Sequence, residues 1–144
     1  MAQQSFQSSI DAWVQKTKAR MEAVVKNAAE SVIEEVVLRC PVDTGFLRAS
    51  LTASLDGPLP MRNDKPAGAA PNSFDAQDVS LVIEGAQLGQ TIYASFTARY
   101  ASFVEYGTKH TNPVGMVRLS AANWGFHVES AVRQAKAAVN SAGR

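Results

Sequence analysis

The spacing of hydrophobic residues in the first forty positions predicts a long amphipathic helix. From about Ser9 to Leu38 the apolar residues recur every three or four positions, and neither Gly nor Pro interrupts the run. Ser8 or Ser9 can cap the start, and Pro41 ends the helix because a proline disfavours helical backbone at the residue before it. About thirty residues make a helix of ~45 Å. That is longer than a domain of this size needs for its own core, so part of the apolar face is expected to meet another subunit.

Alternating patterns in the middle of the chain predict strands. Residues 47–55 alternate apolar and polar side chains, which indicates a strand with one buried face. Residues 79–84 and 91–97, separated by a turn at 85–89, predict a hairpin in the same antiparallel sheet. Residues 56–77 lack periodicity and hold four prolines and two glycines, a composition typical of a functional or mobile loop.

Helical spacing returns in the last third of the chain. Residues 99–106 predict a short helix or a turn that ends at Gly107, and a loop around Pro113 leads to a long helix over 116–140. Gly125 is a weak point there, costing about 1 kcal/mol relative to Ala. This order predicts one α+β domain over residues 1–144, with a long N-terminal helix and a C-terminal helix packed on a small antiparallel sheet.

Composition narrows the class of partner. The formal net charge of +1 gives no strong attraction to nucleic acid or to an anionic membrane. The first residues do not form a signal peptide, and the apolar runs are shorter than the roughly 20 residues of a membrane helix. Cys40 is the single cysteine, which excludes an intramolecular disulfide and suggests a reducing compartment.

The triplet Asp43-Thr44-Gly45 offers the sharpest enzymatic alternative, since aspartic proteases carry Asp-Thr-Gly. That chemistry needs two carboxylates close enough to share a proton, which a small enzyme obtains by dimerising. The triplet is also ordinary turn chemistry, and here it lies between a long helix and a strand rather than within an all-β fold. A turn is therefore favoured over a dimeric aspartic-type protease, and loss of a cleavage activity in Asp43→Asn would identify the protease.

Other residues give little sign of chemistry. His110 and His127 share neither a close spacing nor a cysteine partner, so a zinc site is not expected. Cys40 is better explained as a small hydrophobic residue at a helix end than as a nucleophile. There is no glycine-rich phosphate loop. The sequence therefore predicts no cofactor, no metal, no small-molecule substrate and no catalytic residue.

Glu105 is the charged residue with the most specific surroundings, because aromatic side chains flank it. A half-buried carboxylate needs a cation or hydrogen-bond donors. Arg48 is a candidate partner. Their ion pair would lie either within one subunit or between two subunits.

Two segments together resemble a known family. Pro41-Val42-Asp43-Thr44-Gly45-Phe46-Leu47-Arg48-Ala49-Ser50-Leu51 (the first motif) is followed by Tyr100-Ala101-Ser102-Phe103-Val104-Glu105-Tyr106-Gly107-Thr108 (the second motif). They resemble the tail-component family of long-tailed bacteriophages, which includes head-to-tail joining and tail-completion proteins and is distantly similar to minor tail protein Z. The order of elements fits from about residue 10 to residue 140, and residues 112–118 depart from the family pattern.

The resemblance implies a structural virion protein of the neck or the tail end, not an enzyme. It implies a homo-oligomeric, hexameric ring that contacts neck or tail-tube proteins and lets DNA pass without specific binding. The protein would be made in the host cytoplasm and reside in the virion. Neck, terminator and tail-completion roles stay open.

Within the resemblance each motif has an expected role. The first motif would turn the chain from helix to strand, Arg48 and Glu105 would clamp the motifs together, and the aromatics would pack the short helix on the sheet. The loop at 56–77 would reach an adjacent subunit or the next ring. The structural and interface candidates are Asp43, Thr44, Gly45, Leu47, Arg48, Tyr100, Phe103, Glu105, Tyr106 and Gly107.

Overall fold

The fold starts with the predicted long helix. A computed structural model describes residues 2–42, 45–62 and 74–143. Helix α1 covers Ala2–Arg39, about 57 Å of helix. It begins earlier than predicted, so the expected serine cap is wrong: the Ser8 and Ser9 hydroxyls both donate to the Ser5 carbonyl inside the helix. The helix ends before Pro41, as the sequence indicated.

The predicted strand at 47–55 is confirmed only in its second half. Helix α2 covers Phe46–Ala49 and strand β1 covers Leu51–Ser54. Gly45 has the left-handed φ of 82°, and its carbonyl accepts from the Ala49 amide, which closes a helical turn. That turn buries Leu47. Over so few residues a helical turn and a strand show the same alternation of apolar and polar side chains, so the pattern did not distinguish them.

The strand predicted at 79–84 is wrong, because this segment is helix α3, Ala76–Gly85. The Asp75 carboxylate accepts from the amides of Gln77 and Asp78 and so caps the helix start. Val79 and Ile83, four residues apart, are buried, whereas Leu81 between them is 65% exposed. The apolar positions therefore follow the helical period and not the strand period.

A two-stranded antiparallel sheet joins the middle of the chain. Strand β2, Tyr93–Phe96, pairs with β1 so that Leu51 lies opposite Phe96. Of the predicted loop at 56–77, residues 63–73 lie outside the described residues, and the last two, Ala76 and Gln77, belong to α3.

Three helices complete the fold: α4 (Ala101–Tyr106), α5 (Met116–Ala122) and α6 (Trp124–Ala142). The helix predicted over 116–140 is interrupted at Asn123, whose amide bonds to the Ser120 carbonyl while its own carbonyl accepts from His127. The chain thus has the predicted α+β fold, with a long N-terminal helix, C-terminal helices and a small antiparallel sheet.

Two clusters of buried apolar side chains lie in the described part of the chain. One joins α1, β1 and α3 through Ile33, Val36, Leu51, Val79 and Ile83. The other joins the end of α1, α2 and the start of α5 through Cys40, Leu47, Ala98 and Met116. The second cluster positions both sequence motifs, because it holds Leu47 of the first motif under α4 and α5. In the described part of the chain, no helix is long and apolar enough to cross a membrane.

Candidate functional site

The first motif places its residues at the end of α1. Asp43 and Thr44 lie outside the described residues, so the turn expected there rests on Gly45, which starts α2. Arg48 lies on α2 and its Nη2 donates to the Cys40 carbonyl at 3.1 Å. This bond ties α2 back to the end of α1, where the last carbonyls of a helix lack partners within the helix.

Glu105 of the second motif is a buried carboxylate that caps another helix. Its two oxygens accept from the backbone amides of Val117 and Arg118, each at 2.9 Å. Both amides belong to the first turn of α5, where backbone N–H groups lack acceptors within the helix. Gly115, the residue before that helix, provides no side-chain cap. A side chain from α4 therefore supplies the cap that the start of α5 lacks, and negative charge there is favoured by the helix dipole.

The Arg118 side chain surrounds the same carboxyl group. Its Nε donates to Glu105 Oε1 at 3.1 Å, and its Nη2 donates to the Glu105 backbone carbonyl at 3.0 Å. Burial raises the pKa of Glu105, but the hydrogen bonds from Val117 and Arg118 and the guanidinium charge outweigh it, so the pKa lies below its ordinary value. Glu105 is accordingly a charged structural group at neutral pH.

The structure does not pair Arg48 with Glu105 within one subunit, and a pair between two subunits stays a prediction. Glu105 is satisfied by Arg118 and Val117 from α5, and Arg48 reaches the end of α1 instead. Arg118, which lies thirteen residues after Glu105, was not among the residues predicted from the sequence. The usable signal was Gly115 before an apolar run, a helix start without a capping side chain of its own.

Gly107 and Thr108 build the turn that brings α5 back to Glu105. Gly107 has φ 79° and ψ 175°, and a Cβ there would stand 2.8 Å from both the Pro113 nitrogen and the Thr111 carbonyl oxygen. The Thr108 hydroxyl oxygen accepts from the amides of His110 and Thr111. Glycine is therefore required by both the backbone conformation and the close approach of the returning chain.

The aromatic residues of the second motif do not pack on the sheet as predicted. Phe103 and Tyr106 are 61% and 65% exposed. Tyr100 contacts Phe46 of the first motif with ring centroids 5.5 Å apart, and the Arg118 guanidinium lies 4.7 Å from the centre of the Tyr106 ring. Helix α4 instead meets the core through Ala101 and Val104. The two motifs thus meet in one aromatic surface, named the motif face here, which consists of the half-buried Phe46 and the exposed Tyr100, Phe103 and Tyr106.

Cys40 belongs to the core beneath this face. Only 2% of the residue is exposed, and burial raises the pKa of its thiol. We expect a thiol reagent to leave the native protein unlabelled and to react only after unfolding, measured by absorbance with an aromatic disulfide. Leu38→Cys is the control, because Leu38 is among the exposed residues and a cysteine there should react in the folded state. Equal rates for both thiols would contradict the burial.

A second charged cluster joins α1 to α6. Glu35 bonds to His127 Nε2 at 2.6 Å, to Asn123 Nδ2 at 2.8 Å and to Arg39 Nε at 2.9 Å. The hydrogen bond with His127 lowers the pKa of Glu35 most; burial opposes it, and Arg39 and Asn123 add to the lowering. His127 therefore has a structural role, joining α6 to α1 through Glu35, and the sequence did not indicate this partner.

The lowered pKa of Glu35 predicts a loss of stability in acid. A carboxyl group with a lower pKa in the folded state stabilises the fold above its unfolded pKa, about 4.3, and this stabilisation disappears as the pH falls through the folded value. We expect the free energy of unfolding, measured by urea denaturation, to fall below about pH 4.3. Glu35→Gln should be less stable at pH 7 but lose less between pH 6 and pH 3. Glu105 contributes in the same pH range in both proteins, so the difference between the two pH profiles measures the contribution of Glu35. Parallel profiles would exclude this role of Glu35.

No group of three His, Cys, Asp or Glu side chains in the described part of the chain is placed to hold a metal ion. Gly45 is followed by a helical turn rather than a strand, so the surroundings of the Asp-Thr-Gly triplet differ from the all-β setting that the protease alternative requires.

Comparison with known proteins gives one finding. The model of the family described as the HK97 gp10-like bacteriophage tail components matches residues 4–107, which include the first motif and the second motif up to Gly107. No curated protein and no solved structure matches the chain. The matched region covers well over half of the chain, including α1, the sheet and α4. The chain therefore belongs to the HK97 gp10-like family of bacteriophage tail components.

Proposed function

We propose that this protein is a structural virion component at the head–tail interface, where a homo-oligomeric ring, expected to be hexameric, joins or caps the tail and lets DNA pass. The family supports the coarser statement, a structural tail component that acts in the virion rather than as an enzyme. Neck, tail-terminator and tail-completion roles are variants of this proposal, since one fold can serve several of them.

The motif face is the observation that carries the proposal. Phe103 and Tyr106 expose most of their rings to solvent although each belongs to a helix that has a buried side available. Glu105 and Arg118 join α4 to α5, and the Arg118 guanidinium stacks on the Tyr106 ring, so α4 holds this surface in a fixed position. Exposed, rigid aromatic surfaces are characteristic of protein–protein contacts. We assign this surface to a neighbouring neck or tail-tube protein.

Charge supports the passage of DNA without tight binding. The net charge is +1, so a ring of these subunits would present little net positive charge to the phosphates. Tight phosphate contacts need many Lys and Arg side chains and produce strong salt dependence. A near-neutral ring wall would allow DNA to slide.

Two measurements test the proposal. Light scattering and negative-stain imaging should give the mass of about six subunits and a ring with a central channel. A stable monomer or a compact dimer at all concentrations would contradict the ring.

The role of the motif face is tested in the phage itself. The chain would be supplied in trans to a phage whose own copy of the gene has been deleted. Phe103→Ser should fold and oligomerise normally but fail to restore phage particles in which head and tail are joined. Leu81→Ser is a matched control, since Leu81 is equally exposed on α3. Equal restoration by both variants would show that the motif face has no partner.

A further inference from the structure

Helices α5 and α6 are separated by a single residue. Asn123 has φ −88° and ψ 7°, whereas an α-helix has about −63° and −42°. Residues 116–142 contain no proline, and the glycine nearest to the break, Gly125, lies two residues beyond it. The break is held from outside, because Asn123 Nδ2 donates to Glu35 Oε1 on α1 at 2.8 Å. A contact with α1, and not a helix-breaking residue, therefore keeps α5 and α6 apart.

The spacing of apolar residues continues through the break without a shift. Steps of four and three residues join Val117, Ala121, Trp124, Val128, Ala131 and Ala135. This spacing describes one face of one continuous helix. The sequence therefore favours a single helix over 116–142, about 40 Å long, which forms when Asn123 adopts helical backbone.

Helix α6 packs on α1 through contacts that do not belong to the core. Neither cluster of buried apolar side chains in the described part of the chain includes a residue of α6. Ala131 alone among the residues of α6 is buried, and polar bonds join Gln134 to Asn27 and His127 to Glu35. A groove of about 540 Å³ remains between the two helices, and the residues that line it include Met21, Val24, Val132 and Val139. Removal of α6 would thus leave both clusters intact.

We infer that copies of this chain exchange α6: α5 and α6 join into one helix, and the α6 segment packs on α1 of the next copy. This inference rests on the self-assembly in the proposed function and identifies the element that produces it. The surface of α1 that receives the neighbour's helix is the one that holds the chain's own α6, so Asn27 and Glu35 would make the same bonds. Each copy donates one helix and accepts one, and such a head-to-tail contact closes into a ring when the rotation between copies permits.

The exchange conserves the contact between α1 and α6, so the balance between the two forms is decided at the break. The broken form has the bond between Asn123 and Glu35. The exchanged form gains the backbone hydrogen bonds of an uninterrupted helix, which the break removes. Exchange of an identical element is a low-cost route to an oligomer for this reason.

Cross-linking of mixed copies tests the exchange directly. A tagged chain with Asn27→Cys and an untagged chain with Gln134→Cys would be unfolded, refolded together and treated with a short bismaleimide. Since the two native side chains lie 2.9 Å apart, the reagent should link tagged to untagged chains when α6 of one copy lies on α1 of the other. The buried Cys40 should not react. We expect mixed covalent dimers on a denaturing gel.

Arg133→Cys in place of Gln134→Cys is the matched control. Arg133 is exposed and follows the buried Ala131 by two residues, which places it on the side of α6 away from α1. Mixed dimers should be absent with this variant.

Two substitutions at Gly125 test the joined helix. In the broken form the Gly125 amide belongs to the first turn of α6, where it needs no partner within the helix, and there is open space for a side chain. In the joined helix the same position is interior, where a proline removes a hydrogen bond and clashes with the preceding turn. Gly125→Pro should therefore weaken self-association about 100-fold in sedimentation equilibrium. Gly125→Ala should not weaken it. The cross-linking decides if Gly125→Pro fails to fold.

The outcomes separate this inference from the proposed ring. Rings that give no mixed dimers, or that form equally well from a folded Gly125→Pro, would overturn the exchange and leave the ring intact. A wild-type protein that forms only pairs, and whose pairs give mixed dimers, would support the exchange and overturn the ring. A wild-type monomer at every concentration would overturn both.

Discussion

Replacing Glu105 by alanine is expected to lower the free energy of unfolding by about 2–4 kcal/mol, since hydrogen bonds to a buried charge contribute roughly 1.5–3 kcal/mol each and are not additive. The variant loses the two amide bonds that cap α5 and the bond from Arg118 Nε. Urea denaturation would measure the change, and thermal unfolding should show a fall in Tm on the order of 10 °C. Because α5 carries Met116 into the second core cluster, the effect should reach the whole fold and not one helix end.

Arg118→Ala distinguishes the stability contributed by the cap of α5 from the stability contributed by the Glu105–Arg118 ion pair. The Arg118 side chain is about half exposed, and exposed ion pairs contribute about 0–1 kcal/mol. This variant should therefore lose less than half as much stability as Glu105→Ala, because the backbone amides remain capped. Equal losses in the two variants would mean that the guanidinium, and not the capping of α5, determines the role of Glu105.

Local patterns predicted the elements whose period is long enough to be unambiguous. The spacing over 9–38 gave α1, and the alternation at 91–97 gave β2, because each run repeats its period several times or is bounded by turn residues. The segment at 79–84 failed because six residues fit both periods, and the Asp75 cap that decides for a helix stands outside them. Asp75, the signal for a helix start, was present in the sequence but lay within the segment that was interpreted as a loop.

The candidate site shows a different limit. Glu105 was expected to need partners because it is a half-buried carboxylate, and the structure provides them. The expected partner was Arg48, the cation of the neighbouring motif, but the chain returns through Gly107 and Thr108 so that α5 lies against α4. The identity of the partner of Glu105 depended on the path of the returning chain, and the spacing of hydrophobic residues does not predict that path. The exposure of Phe103 and Tyr106 was missed for a related reason: an aromatic run predicts burial unless a binding surface is expected.

Gly107→Ala is expected to destabilise the fold by about 3 kcal/mol or more. The variant combines a backbone conformation that non-glycine residues rarely adopt, costing about 1–3 kcal/mol, with a clash that costs a similar amount. The new Cβ would lie 2.8 Å from two backbone atoms, the Pro113 nitrogen and the Thr111 oxygen, which cannot rotate away as a side chain could. Relief requires the returning chain to move, and that movement withdraws the α5 amides from Glu105. Chemical denaturation and the loss of amide exchange protection at Val117 and Arg118 would measure the two consequences together.

Two other glycines separate the contributions. Gly89 has φ 95° but open space around the position of a Cβ, so Gly89→Ala should cost only the backbone strain. Gly125 lies in α6 with no atom within 4 Å of that position, so Gly125→Ala should stabilise the protein by about 0.5–1 kcal/mol. If Gly107→Ala cost no more than Gly89→Ala, the close approach at Pro113 would not constrain the turn. The second motif would then hold α5 through Glu105 alone. A larger cost would show that Gly107 and Glu105 act on the same helix start, one by allowing the chain to return and the other by capping it.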